Sequence, residues 1–109
     1  MGKVLDFLKN YFGFPVQSQD HQYVLGAVAI TIATNNPDRP EIIFMNASAN
    51  DAYIGMTSEV GILRGFLLAG NGGQINYMAP DDGDLPTRQW WGIAAAGAPA
   101  IYVTEMVAL

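Results

Sequence analysis

The segment Arg39–Gly55 constrains the fold of this chain more than any other. Its residues Glu41–Met45 (EIIFM) have the β-branched and aromatic content that is typical of a strand. The polar cluster Asn46–Asp51 (NASAND) favours a turn, and Ala52–Gly55 (AYIG) returns to extended, apolar chain. Two runs this close together predict an antiparallel hairpin. The same unit of apolar run, polar break and apolar run recurs downstream, which predicts an all-β domain.

Turn signals separate several further short apolar segments. They predict a small antiparallel β-sandwich or jelly roll of about seven strands. Besides the hairpin, the predicted strands are Tyr23–Thr34, Gly65–Leu68, Gln74–Ala79, Gln89–Ala94 and Ala100–Val107. In Tyr23–Thr34, the alternation places Val24, Val28, Ile30 and Ile32 on a core face. In the last strand, Glu105 shares a face with Ile101 and Val103.

The N-terminal residues Gly2–Phe12 show helical spacing and predict a short amphipathic helix or arm. Such a short helix needs a surface to dock on, which leaves three interpretations: its own β domain, a neighbouring subunit or a membrane surface. Polar residues Gln17–Gln22 predict a linker, so the chain divides into an arm with its linker (1–22) and a β-sandwich domain (23–109). The residues expected to anchor the arm to a partner are Val4, Leu5, Leu8, Tyr11 and Phe12.

The composition indicates a protein that works in contact with other proteins. Only 14% of its residues are charged, compared with roughly 25% in an ordinary soluble domain, while half are apolar. A monomer with this composition exposes large uncharged areas, and such areas usually mark contact surfaces. We therefore expect an oligomer or a subunit of a larger assembly, with Tyr53, Trp90 and Trp91 at subunit contacts.

Charge and hydropathy argue against nucleic-acid and membrane partners. The net charge is −5, and the five basic residues form no run, whereas nucleic-acid binding needs a concentrated positive surface. Charged and polar residues interrupt Met1–Phe14, so no secretory signal is expected. The low-polarity stretch Tyr23–Ala33 is too short to span a bilayer.

No set of residues predicts catalysis, a cofactor or a metal site. His21 is the only histidine and there is no cysteine, which excludes a Cys/His nucleophile and a zinc site rich in these ligands. The carboxylates Glu41, Glu59 and Glu105 fall on separate elements, where nothing pairs them as acid and base. We therefore expect a protein that is not an enzyme.

Three other patterns have two interpretations each. Asp81, Asp82 and Asp84 offer oxygen ligands for calcium or form a solvated turn, which their flanking prolines favour. The sequence Asn46-Ala47-Ser48 is either a glycosylation sequon or part of a turn. The third pattern is a set of aromatic residues, which either bind a carbohydrate or pack in the core and at interfaces. They are Trp90, Trp91, Tyr53, Tyr77 and Tyr102.

The order of these motifs resembles small β-sandwich domains in virion proteins of tailed bacteriophages. The resemblance covers about Glu41–Val107 and rests on IIFMNAS followed by NDAYIG, GFLL with Gly70, WGIAAAG and IYVTE. It implies a capsid decoration (cement) protein, a head fibre or a tail-fibre module, often trimeric, made in the host cytoplasm.

The sequence and the resemblance together favour a decoration protein. Such a protein binds the major capsid protein on the exterior of the virion as a homo-oligomer, for which we expect a trimer. The alternative is a carbohydrate- or host-binding module of a head or tail fibre, in which the aromatic residues contact a glycan. A small enzyme or ligand carrier is a third class, which the missing catalytic groups disfavour.

Overall fold

The structure is a computed structural model that describes Lys3, residues 10–79 and residues 81–109. In this part of the chain, Lys3 and residues 10–12 are helical, and eight strands follow. The strands are β1 (Val16–Val24), β2 (Ile30–Ala33), β3 (Glu41–Asn46), β4 (Ala52–Gly55), β5 (Phe66–Leu68), β6 (Gln74–Met78), β7 (Trp90–Ala94) and β8 (Ala100–Ala108). A single-turn 3-10 helix, Leu85–Thr87, lies between β6 and β7.

The strands form two antiparallel sheets of four strands each. Sheet A has the order β1-β8-β3-β6 and sheet B the order β2-β7-β4-β5. The pairs β1–β8, β2–β7, β3–β6 and β4–β5 show that the chain is one long antiparallel ribbon, folded back at the β4–β5 turn and wrapped around the core. The pairs β3–β8 and β4–β7 complete the sheets. This arrangement is a jelly roll, which confirms the predicted fold class.

The hydrophobic core lies between the inner faces of the two sheets. Residues along β3 alternate between half-buried and buried, as expected for a strand with one face toward a core. Phe44 of sheet A meets Trp90 of sheet B with ring centroids 5.3 Å apart. Sheet A contributes Ile42, Phe44, Ile101 and Val103 to this core, and sheet B contributes Ile32, Ile54, Leu68 and Trp90.

The predicted hairpin of β3 and β4 is wrong, although both strands exist. β3 lies in sheet A and β4 in sheet B, so residues 46–51 carry the chain from one sheet to the other. Asn46 is completely buried, and its side-chain amide donates to the carbonyl of Asn50 at 2.7 Å and to that of Leu68 at 3.0 Å. Its amide oxygen accepts the backbone N–H of Ser48. We call residues 46–51 the Asn46 corner.

The predicted linker Gln17–Gln22 is also wrong. These residues lie inside β1, which pairs with β8 from Val16 opposite Ala108 to Val24 opposite Ala100. The boundary predicted between residues 22 and 23 therefore falls within a strand. β1 is an edge strand with mostly exposed side chains, so it lacks the hydrophobic alternation by which a strand is predicted.

The single strand predicted for Tyr23–Thr34 is two strands in different sheets. β1 ends at Val24, residues 25–29 cross between the sheets, and β2 begins at Ile30. The predicted core face is correct only for Ile32, which is buried; Val24 and Val28 are exposed. Leu25, in the crossing, fills the core instead.

The remaining strand predictions are confirmed within a residue or two. β5, β6, β7 and β8 lie where the segments after residue 64 predicted strands. In β7, Trp90 is buried and Trp91 is half-buried, as alternation requires. In β8, Ile101, Val103 and Glu105 all face inward and are buried.

Candidate functional site

Trp90 is a core residue and not a subunit contact, so this part of the interface prediction is wrong. Its side chain is completely buried. The indole N–H donates to the carbonyl of Leu85 at 3.1 Å, and the ring stacks on Tyr77 with centroids 5.1 Å apart. A ring without exposed surface has nothing to offer a neighbouring subunit or a glycan.

Tyr53 and Trp91, the other two predicted contact residues, lie together on the outer face of sheet B. Both are half-buried. Tyr53 is directly opposite Leu67 on β5 and Ile93 on β7, and Trp91 is opposite Thr31 on β2. Directly paired residues share a face of the sheet, so these five side chains form one patch. We call it the sheet B face, and none of its five residues is charged.

The β4–β5 loop is fastened to the same side of sheet B. Val60 is buried and contacts two glycines so closely that neither position has room for a side chain. A Cβ atom at Gly55 would lie 2.9 Å from Val60 Cγ2, and one at Gly65 would lie 2.7 Å from it. Val60 therefore packs against both the start and the end of the loop.

Beyond Val60, the loop presents two aliphatic side chains to solvent. Gly61 and Arg64 exchange two backbone hydrogen bonds of 3.2 and 3.1 Å, which makes Ile62 and Leu63 the centre of a tight turn. Ile62 is 74% exposed and Leu63 is 96% exposed. We call these two residues the tip. An ion pair between the exposed side chains of Glu59 and Arg64 closes its base.

The residue types of the tip are unusual for a two-residue turn. Two-residue turns favour Gly, Asn or Asp, mostly at positive φ, yet among the described non-glycine residues only Asn71 has positive φ. Gly61 and Ile62 also line a hollow of about 280 Å³ with Tyr53 and Ile93, so the tip is continuous with the sheet B face. The sequence patterns predict only a loop for residues 57–64. The Ile-Leu pair between Gly61 and Gly65 is the sequence signal that could have indicated an exposed apolar turn.

The predicted anchor residues are only partly within the described residues. Val4, Leu5 and Leu8 lie outside them, so their role remains a prediction. Tyr11 is half-exposed and packs edge-on against Phe12 with centroids 5.0 Å apart. Together with Phe14 and Pro40, these rings line an apolar hollow of about 240 Å³ near the start of β3.

Several of the residues that carry the phage resemblance lie together at one end of the sandwich. At the Asn46 corner, Asp51 accepts the backbone N–H of Gly70 at 2.8 Å. A Cβ atom on Gly70 would lie 2.4 Å from the carbonyl oxygen of Ala49, and one on Gly97 would lie 2.4 Å from Asn50 Nδ2. These residues therefore build the corner. The buried, doubly bonded amide of Asn46 is also inaccessible to glycosylation, so the sequon is part of the fold.

A buried ion pair that the sequence patterns do not predict joins β8 to the segment before β3. Arg39 is completely buried, and its Nη1 donates to Glu105 Oε1 at 2.6 Å. Its other nitrogens donate to the carbonyls of Pro86 and Arg88, both at 2.7 Å. The second oxygen of Glu105 lies 2.9 Å from His21 Nε2. The missed signal was the inward position of Glu105 between core residues, because a carboxylate there requires a partner.

Two of the three aspartates considered as calcium ligands, Asp82 and Asp84, bind groups close to them in the chain. Asp82 accepts the backbone N–H of Met78 at 2.8 Å, and Asp84 pairs with Arg88. Within Lys3, residues 10–79 and residues 81–109, no group of three or more acidic, His or Cys side chains is placed to hold a metal ion. The described helical residues include no helix long and apolar enough to cross a membrane.

The outer face of sheet A is more polar than the sheet B face. Tyr102 donates its hydroxyl to Asp20 Oδ2 at 2.6 Å, and this hydrogen bond raises the pKa of Tyr102. Burial between neighbouring strands raises the pKa of Glu41. This face therefore carries at least two acidic side chains, whereas the sheet B face carries none.

Comparison with models of known protein families and with curated proteins finds no match. Comparison with solved structures finds a similar chain in the structure described as "Bacillus endospore appendages form a novel family of disulfide-linked pili". The two chains share 12% sequence identity and superpose with a TM-score of 0.51, over 86% of this chain and 87% of the other. At this identity, the likeness shows that the two proteins share a β-sandwich fold.

Proposed function

We propose that this chain is a non-enzymatic structural subunit of a phage virion, and specifically a capsid decoration protein that binds the outside of the shell as a trimer. The observation that supports this proposal best is the uncharged sheet B face with its exposed tip. An apolar surface of this kind on a small, charge-poor domain is typical of a protein contact surface. The resemblance to phage virion proteins implies that the assembly is a phage particle.

Two further observations support a structural role. Asn46, Asp51 and Gly70, which belong to the motifs of the resemblance, build the Asn46 corner, so these residues serve the fold. The solved structure with a similar fold comes from endospore appendages that are pili, so a sandwich of this fold serves in an assembly made of protein subunits.

Deletion of the chain from its phage tests the proposed function. Particles that lack a decoration protein should assemble but lose infectivity faster on heating, and purified protein should bind back to them in a fixed ratio to the major capsid protein. Immunogold labelling should then mark the head. Particles with unchanged composition and heat resistance would contradict the proposal.

A truncated protein lacking residues 1–15 tests the anchor. If Val4, Leu5, Leu8, Tyr11 and Phe12 hold the subunit on the shell, the truncated protein should keep its far-ultraviolet circular dichroism spectrum and bind shells only weakly. Binding at the occupancy of the full chain would show that the anchor lies elsewhere.

A carbohydrate- or host-binding fibre module is the second candidate, and one observation favours it. Tyr53 and Trp91 stay on one accessible face, as a glycan platform requires. A glycan array followed by titration calorimetry distinguishes the two functions. A decoration protein binds no glycan, whereas a fibre module binds one and loses it with Trp91→Ala.

A further inference from the structure

The crossing between β1 and β2, residues 25–29, joins the two sheets along one side of the sandwich. β1 is an edge strand of sheet A and β2 is an edge strand of sheet B. β1 is also the first strand of the chain, so the crossing is its only covalent connection to the strands that follow. A change in the backbone dihedral angles of the crossing can therefore move β1, together with the residues before it, away from its own sandwich.

The sequence of the crossing favours an extended chain, although the structure bends there. Tyr23–Thr34 alternates along its whole length, and its one turn-forming residue is Gly26. The bend leaves two valines in solvent, Val24 with 63% and Val28 with 76% of its surface exposed. An unbroken strand pattern across a bend is a conflict between local sequence and fold. Such a conflict is expected of a hinge that is extended in another state of the protein.

β8 offers the same binding site to β1 whichever copy of the chain supplies it. The two strands pair along all nine residues of β1. Two side-chain hydrogen bonds accompany this pairing, between His21 and Glu105 at 2.9 Å and from Tyr102 to Asp20 at 2.6 Å. In the described part of the chain, β8 is the only strand that pairs with β1. These contacts are therefore unchanged when β8 belongs to a second copy.

A β8 without β1 is unfavourable, which defines the occupant of this site. Ile101 and Val103 on β8 are completely buried, and Tyr23 of β1 packs against the same core. Loss of β1 without a replacement exposes this apolar surface to water. A β1 that has left its own sandwich therefore fits best on a β8 that has also lost its strand.

We propose that β1 is exchanged between copies of this chain, so that the β1 of each copy pairs with the β8 of the next. This inference rests on the proposed function, because it identifies the contact that holds the trimer together. Three such exchanges close into a ring in which every β8 is paired. The exchange also moves the residues before β1, so that Tyr11, Phe12 and Phe14 pack near Pro40 and Ala79 of the next copy. Of the three docking surfaces considered for the arm, this selects the neighbouring subunit.

A disulfide between β1 and β8 reports which chain supplies β1. The chain contains no cysteine, so introduced cysteines have no competing partner. The N–H of Leu25 donates to the carbonyl of Pro99 and continues the ladder past β1. The even-numbered residues of β1 therefore lie in the non-hydrogen-bonded pairs. Ser18 and Met106 form such a pair, and its usual Cα separation of about 4.5 Å permits a disulfide.

A denaturing gel without reductant gives the main readout. Oxidised Ser18→Cys/Met106→Cys protein should migrate as a covalent trimer of about three times the mass of the chain. Without exchange, the same disulfide closes within each chain and the gel shows monomers. Ile43→Cys/Asn76→Cys is the matched control, because this non-hydrogen-bonded pair joins β3 to β6, which stay in one chain. The control should give monomers, and both reduced variants should sediment like the wild type.

Refolding two single variants together gives a second readout. An equimolar mixture of Ser18→Cys and Met106→Cys, unfolded in urea, refolded and oxidised, should form disulfide-linked pairs that contain one chain of each variant. No mixed pair would overturn the exchange. A Ser18→Cys/Met106→Cys protein that gives only monomers on the gel would overturn it as well.

Failure of the exchange is distinguishable from failure of the proposed function. If the double-cysteine protein forms trimers but its disulfide closes within each chain, the trimer stands and the exchange is refuted. If the wild type is monomeric and binds phage shells, the decoration function stands and the exchange is again refuted. If the covalent trimer forms but does not bind shells that lack the protein, the exchange stands and the decoration function is refuted.

Discussion

Replacing Glu105 with glutamine tests the buried ion pair that joins β8 to the segment before β3. Arg39 is completely buried, and Glu105 is 7% exposed. Glutamine keeps the shape of the side chain but leaves the guanidinium of Arg39 without its counter-charge, 2.6 Å from where the carboxylate was. The carbonyls of Pro86 and Arg88 still accept hydrogen bonds from it, but they do not neutralise it. Because breaking a buried pair costs about 3–5 kcal/mol, we expect the free energy of unfolding to fall by about 3 kcal/mol.

Urea unfolding followed by tryptophan fluorescence measures this loss. With an m value of about 1.5 kcal/mol per molar urea, the midpoint should fall by about 2 M. The matched control is Glu59→Gln, which breaks the ion pair with Arg64 between side chains that are both more than 60% exposed. Such a pair contributes about 0–1 kcal/mol. If Glu105→Gln costs no more than Glu59→Gln, the inference that the Arg39 pair supports the fold is refuted.

Three further predictions concern the corner and the sheet A face. Asn46→Ala leaves the carbonyls of Asn50 and Leu68 without a donor, so it should lower the free energy of unfolding by about 2–4 kcal/mol in urea titrations. The control Asn36→Ala removes one exposed hydrogen bond and should cost under about 1 kcal/mol. Equal losses in the two variants would contradict the structural role of the corner. Gly70→Ala forces a Cβ atom against the Ala49 carbonyl and should lower the free energy of unfolding by about 1–3 kcal/mol, with a lower melting temperature. The control Gly26→Ala has nothing within 4 Å of the new Cβ atom, so its melting temperature should change little. An unchanged melting temperature for Gly70→Ala would refute the close approach. Burial raises the pKa of Glu41 above its ordinary 4.5, so the ionised carboxylate destabilises the fold at neutral pH, and this destabilisation fades as the pH falls toward 4. Glu41→Gln should therefore melt at a higher temperature than the wild type at pH 7 and at about the same temperature at pH 3.5. A difference in melting temperature that does not change with pH would contradict the raised pKa.

The strands of the second half of the chain could be predicted because clear turn signals bound each of them. Asn71 and Gly72, both at positive φ, mark the turn before β6, and the turn around Gly97 precedes β8. Alternation also places Trp90 and Trp91 on opposite faces of β7, as in the structure, although it does not show which of the two faces the core. In these segments, local chemistry and tertiary structure agree.

Strand pairing was harder to predict than strand position. The cluster after β3 contains the residues of a tight turn, but its side chains bond to Leu68 on β5 and to backbone within the corner. A polar cluster between two strands has the same composition whether it closes a hairpin or carries the chain to the other sheet. Local sequence therefore could not distinguish the two, because the partner of Asn46 lies 22 residues away.

The candidate site was predictable in part. Low charge and aromatic content predict Tyr53 and Trp91 at a contact surface; the structure places both on one outer face, and their role in a subunit contact stays a prediction. Trp90 was misassigned because composition does not show which of two adjacent tryptophans faces the core. The tip was missed because it occurs in a segment without strand periodicity.

The pairing of β1 with β8 has a consequence for synthesis in the cell. Val16 lies opposite Ala108, so a nascent β1 emerges from the ribosome long before its partner has been translated. Such distant closure makes folding slow, on a scale of milliseconds to seconds. During this interval β1 is exposed as a free strand, and its sequence QSQDHQ is polar on both sides, which keeps it soluble while it waits and discourages pairing with other nascent chains.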